Sequence, residues 1–134
     1  MRAVLDPGVI VSGLLAPKGG PASILRAWEA GEFELIVSPL LLTELERALS
    51  YPKLRKRIPQ EDAVAVLAWL RRSALIVRDP PERGAVQSAD PDDDYLIALA
   101  EEEQAALVSG DAHLLALAGT IPVLSARQFL ELLG

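Results

Sequence analysis

The chain has 134 residues, with 13 Lys and Arg against 19 Asp and Glu, a formal net charge of −6. That length suits one domain over 1–134 that folds without staples, and zero Cys with a single His, His113, excludes disulfide scaffolds, thiol nucleophiles and zinc or multi-imidazole sites. Although 51% of residues are hydrophobic, no apolar run reaches ~18 residues and no basic-then-apolar start is present, so the expectation is a soluble cytoplasmic domain without a membrane span.

Ala3-Val4-Leu5 is an apolar run that stops at Asp6, which predicts a first strand. A helix is predicted over Val9–Leu15, closed by Pro17-Lys18-Gly19-Gly20-Pro21, and a second over Ala22–Ala30, ended by Gly31. Phe33–Val37 reads as a strand, and Ser38-Pro39 supplies an N-cap and a first-turn proline for a Leu-rich helix to Ser50. From Pro59, Ala63, Val66, Leu67 and Leu70 recur at helical spacing. Leu75–Val77 is a third strand and Asp79–Ala89 a loop. Then come a helix over Pro91–Glu103, strand Ala106–Val108, a short helix over Asp111–Ala118, strand Pro122–Leu124 and a last helix over Arg127–Leu133. Short apolar strands alternating with helices imply an α/β sandwich, a parallel sheet with helices on both faces.

In such sheets ligands bind beyond the carboxyl ends of the strands. Asp6 ends the first strand and Asp111 follows Val108 closely, although Asp111 taken alone reads first as the N-cap of the short helix behind it. Helical phase, at ~100° per residue, adds two acids. Glu44 falls between Leu40 and Ala48, inside the apolar arc of its helix, while Glu46 points away. Asp93 falls between Ala100 and Ile97, while Asp90, Asp92 and Asp94 suit the positive end of the helix dipole. Carboxylates that converge repel one another unless a cation neutralises them. Oxygen ligands favour Mg²⁺ or Mn²⁺, which activate water and stabilise phosphoryl displacement.

The acidic balance speaks against a nucleic-acid partner, but clustered metal ligands account for much of it locally. Arg47, Lys53, Arg55, Lys56 and Arg57 form a basic run that is either a solvated surface or a phosphate contact.

These motifs resemble the PIN-domain proteins, specifically the small prokaryotic group related to toxins of toxin–antitoxin pairs (VapC-like). The resemblance rests on Val4-Leu5-Asp6 with Val9–Leu15, Phe33–Pro39 running into Glu44-Leu45, Asp90–Tyr95 with Ala98-Leu99-Ala100, and Leu107–Leu115, in family order along nearly the whole chain. It implies a three-layer sandwich with sheet order 3-2-1-4-5 over four or five strands, and a Mg²⁺- or Mn²⁺-dependent ribonuclease. It also implies catalytic acids at Asp6, Glu44, Asp93 and Asp111, the metal held by Asp6, Asp93 and Asp111, and Ser109 as a small hydroxyl beside the last acid. RNA as substrate, a cognate antitoxin and a homodimer follow from the same resemblance. One departure is that Pro7-Gly8 stands where the family usually has Thr-Asn, removing an amide that would orient a carboxylate or a water.

Two other functions fit the same residues. Pro7-Gly8 favours a catalytically weak fold that binds RNA or protein. Phosphotransfer on Asp6 fits less well, because Gly8 replaces the second acid of a dehalogenase pattern and the only lysines are Lys18, Lys53 and Lys56.

Overall fold

The computed structural model describes residues 1–80, 94–115 and 122–134. Among the described residues five strands form one sheet: β1 (Arg2–Leu5), β2 (Glu34–Val37), β3 (Leu75–Ile76), β4 (Ala106–Val108) and β5 (Val123–Leu124). Every neighbouring pair is parallel, in the order β3-β2-β1-β4-β5. Val4 sits at the centre, in register with Ile36 on one side and Leu107 on the other. The central strands are near-continuous apolar runs because both faces are covered; Ala3, Val4, Leu5, Leu35, Ile36, Val37, Leu107 and Val108 are all buried. Edge strand β3 is the exception, with both Leu75 and Ile76 exposed. The chain builds outward from β1 through β2 to β3, then returns to lay β4 on the other side of β1. The strand order therefore reverses at the β1–β4 boundary.

The helices are α1 (Pro7–Leu15), α2 (Gly20–Glu29), α3 (Pro39–Leu49), α4 (Pro52–Arg55), α5 (Gln60–Ser73), α6 (Asp94–Glu103), α7 (Ala112–Leu115) and α8 (Ala126–Leu133). Local chemistry explains where several begin and end. The Ser38 hydroxyl accepts the Leu41 N–H at 3.3 Å, with Pro39 in the first turn of α3. Ser125 and Gln128 form a reciprocal capping box at α8, a Ser-x-x-Gln signal legible in the sequence but not read there. Gly31 ends the α2 turn at φ +79°, a conformation that side chains resist. Gly13 lets α1 and α2 cross closely, since a Cβ there would lie 2.7 Å from Leu25 Cδ1 and 3.1 Å from the Pro21 carbonyl. Among the described residues no single helix is long and apolar enough to cross a membrane; α1 and α2 are apolar together but bent by 99°.

Two readings of helix phase change. In α3 the buried face is Leu41, Leu42, Leu45 and Leu49, whereas Leu40 is 37% exposed and Ala48 half-buried. The apolar arc is thus narrower than the sequence suggested. In α6, Leu96, Ile97, Ala98, Leu99 and Ala100 are all buried, so this helix is enclosed on nearly every side. Phase alone separates inward from outward positions poorly on such a helix. The short α4 has no counterpart in the sequence reading. The expected loop beyond Pro80, the start of the helix at Pro91 and the end of the short helix at Ala118 lie outside the described residues.

Candidate functional site

Asp6 is the residue at which β1 stops being a strand. Its N–H still donates to the Val108 carbonyl at 3.0 Å, extending the β1–β4 ladder by one bond, and its side chain already caps α1. Oδ1 accepts the Gly8 N–H at 3.0 Å, and Pro7, which has no N–H to satisfy, fills the first helical position. Oδ2 accepts the Ser109 hydroxyl at 2.8 Å. Hydrogen bonds to a charged acceptor are short and strong, so the carboxylate is fixed from two directions.

Ser109 makes the link to the last acid. It is fully buried, its N–H donates to Leu124 O at 3.0 Å, and its Oγ accepts the Asp111 N–H at 3.0 Å. One hydroxyl therefore ties the Asp6 carboxylate to the backbone of Asp111. Asp111 is half-buried, directly ahead of α7, and its carbonyl accepts the N–H groups of Leu114 and Leu115. Around these groups is an open cleft of about 420 Å³ lined by Asp6, Gly8, Val9, Ser12, Pro21, Gly110, Asp111 and Ala126. It lies at the carboxyl ends of β1 and β4, where the strand order reverses and α/β folds bind their ligands.

The other sequence candidates are placed differently. Glu44 is not among the residues lining that cleft; it sits half-buried on α3 with its carboxylate 3.1 Å from Arg47 Nη1. The expected partner of an inward Glu44 is thus its own helix neighbour one turn on. Asp93 lies outside the described residues. Of the basic run, Arg47 is engaged by Glu44, and Arg57 Nη2 donates to the Leu15 carbonyl at 3.2 Å. Lys53 and Lys56 are exposed, and Arg55 is half-buried in a groove with Glu46 and Arg71. Sequence reasoning missed two polar residues at this end of the sheet. Ser12 lines the cleft, and Asp79, beyond β3, accepts the Leu40 N–H at 3.0 Å. In the sequence Asp79 carries no signal beyond opening a Pro-rich loop.

Residues 2–113 match the sequence pattern of the PIN domain. The chain belongs to the PIN domain family. PIN domains are generally nucleases and typically use divalent metal ions. A relative, the uncharacterized protein MJ1680 of Methanocaldococcus jannaschii, is 29% identical over 117 residues, 87% of this chain and 75% of that protein. Among solved structures, PAE2754 from Pyrobaculum aerophilum superimposes with a TM-score of 0.62 at 20% identity, covering 99% of this chain and 89% of that one. VapBC2 from Rickettsia felis, solved bound to a DNA fragment from its promoter, gives a TM-score of 0.63 at 16% identity, covering 93% and 98%. These likenesses establish the fold.

The donors of this PIN domain fit a divalent cation in kind. Asp6 and Asp111 offer carboxylate oxygens, the choice of Mg²⁺ and Mn²⁺. Among the described residues no group of three such side chains is gathered.

Proposed function

We propose that this PIN domain is a metal-dependent endoribonuclease of the cytoplasm that hydrolyses RNA phosphodiesters. The observation that carries the reading is the Asp6–Ser109–Asp111 connection, which holds two acids at one cleft where the strand order reverses. In this reading Asp6 and Asp111, with Asp93, hold Mg²⁺ or Mn²⁺, and Glu44 joins the acidic set only by leaving its partner Arg47. When bound, the cation neutralises the clustered carboxylates and polarises a phosphoryl oxygen. The chain's own part is positioning. Ser109 and the Gly8 N–H fix the Asp6 carboxylate, so little rotamer freedom is lost when a ligand arrives. Gly8, Ser12, Gly110 and Ala126 keep the cleft walls short, which leaves room for a sugar–phosphate segment. Lys53, Arg55 and Lys56 supply positive charge for neighbouring phosphates. Cleavage of single-stranded RNA with Mn²⁺, and again with EDTA, tests the reading; cleavage undiminished by exhaustive chelation refutes it.

The fold likeness to VapBC2 and the sequence resemblance to toxins support a role as the toxin of a toxin–antitoxin pair, with a cognate antitoxin and a homodimeric state. Co-purification with the product of an adjacent gene tests the first, and sedimentation at high concentration tests the second. A second reading, a PIN domain that binds RNA without cleaving it, is favoured by one observation. Both oxygens of Asp6 already hold hydrogen bonds, and Pro7-Gly8 provides no side-chain amide beside them. RNA retained without metal-dependent cleavage would decide for it.

A further inference from the structure

At the opposite end of the sheet, the amino ends of β2 and β3, lies a second cleft of about 590 Å³. The end of α2, the turn after it and the end of α5 form its walls, and Trp28 and Trp69 meet there with ring centroids 4.3 Å apart at 31°. Glu29, Glu32 and Glu34 stand exposed on its rim, and no Lys, Arg or His is among the described residues lining it. Glu34 is only loosely held, its carboxylate 3.9 Å from Arg2 Nε. Trp28 is only 7% exposed, and among the described residues none accepts a hydrogen bond from its indole N–H, which is not sealed from solvent.

Each part of this cleft selects for something. Arg2 stands beside Glu34 and Met1 lines the cleft, but Glu29 and Glu32 are in no ion pair among the described residues and favour a cationic ligand. Indole faces favour a guanidinium or ammonium with an aliphatic stem. An indole N–H without an acceptor favours a ligand that brings a carbonyl. A small polyamine supplies the charge but no carbonyl; an anionic nucleic acid is repelled. A protein segment carrying Arg or Lys satisfies all three. We propose that this cleft docks a basic peptide segment of a protein partner, at a site separate from the Asp6 cleft and independent of the nuclease reading.

The two tryptophans of the cleft are the only ones in the chain, so their fluorescence reports this site alone. The probe is an acetylated, amidated hexapeptide of alternating glycine and arginine, titrated at fixed ionic strength. The expected result is a saturable change in tryptophan emission. It should weaken about tenfold in a Glu29→Gln, Glu32→Gln, Glu34→Gln variant, since each exposed charge contributes a few-fold. All three positions are exposed, and each single variant should show part of the loss. The change should persist in an Asp6→Asn, Asp111→Asn variant, which separates it from any failure of the nuclease reading. The proposal is overturned by no saturable change, by undiminished binding in the triple variant, by an equal response to the glutamate counterpart of the peptide, or by equal affinity for spermidine.

Discussion

At the carboxyl ends of the strands Asp6 is packed against donors from two other segments, whereas at the amino ends Glu29, Glu32 and Glu34 stand exposed beside two indole rings. Both clefts are acidic, yet the acids work differently. A carboxylate held by a buried hydroxyl and a backbone N–H has one position, and its neighbours depend on it. Exposed glutamates only set a local potential, and each is replaceable at small cost. One end of this sheet is built for placement of charge and the other for attraction.

The sharpest way to break that contrast is Asp6→Asn. Asparagine keeps the α1 cap through its carbonyl oxygen, but its amide NH2 replaces the acceptor of the buried Ser109 hydroxyl. Urea denaturation should therefore show a loss of about 1–2 kcal/mol in a protein that still folds. Metal-dependent RNA cleavage should fall by about 10³-fold or more, a loss of roughly 4 kcal/mol of transition-state stabilisation. Cleavage within tenfold of the parent would move the chemistry away from Asp6. Next in size is a comparison of two acids adjacent in sequence, Asp93 and Asp94. Asp93→Asn should abolish cleavage, while Asp94→Asn should leave it nearly unaltered and cost at most a few tenths of a kcal/mol through the helix dipole. Equal losses would show that the acidic run acts as a whole.

Ser109→Ala tests whether the carboxyl-end cleft is as interdependent as its geometry implies. It removes the hydrogen bond to Asp6 and strips the Asp111 N–H of its acceptor at a fully buried position. Urea denaturation should show a loss of about 1–3 kcal/mol. A Glu32→Gln change at the amino end should stay within about 0.5 kcal/mol by the same measurement. The smallest expected effect is Gly8→Asn, which restores a side-chain amide next to Asp6. A Cβ at Gly8 would lie 3.6 Å from Asp6 Oδ1, an ordinary contact, and the residue has no left-handed backbone requirement. Stability should rise by a few tenths of a kcal/mol from helix propensity, and cleavage should increase a few-fold. Unchanged cleavage would show that the Gly8 N–H already does what the amide does elsewhere.

Much of the fold was legible because its signals are local. The apolar strand runs, the Ser38-Pro39 start of α3 and the repeat of Ala63, Leu67 and Leu70 on α5 all match the structure, whereas the strand order 3-2-1-4-5 followed from the family resemblance and from no local signal. The brief α4 was not legible, since four residues carry too little periodicity. At the site, Asp6 and Asp111 could be found from their strand-end positions. The role of Ser109 as a bridge could not, because it depends on contacts across a sequence separation of 103 residues. Glu44 shows where phase reasoning stops. The spacing puts it between Leu40 and Ala48, but Leu40 is exposed, so Glu44 lies at the margin of the apolar arc and not within it.

Helix α1 is anchored along its whole length. Asp6 closes its first turn, Gly13 wedges its middle against Pro21 and Leu25, and the Arg57 guanidinium holds the Leu15 carbonyl at its far end. At ~1.5 Å per residue it is a strut about 13 Å long. The basic segment after α4 and the Asp6 carboxylate are therefore opposite ends of one rigid rod, joined by backbone rather than by any chain of side chains. An anion that drew Arg57 off Leu15 would release the distal anchor of the same helix that orients Asp6, so the Arg57 contact and the placement of the Asp6 carboxylate share a single mechanical element.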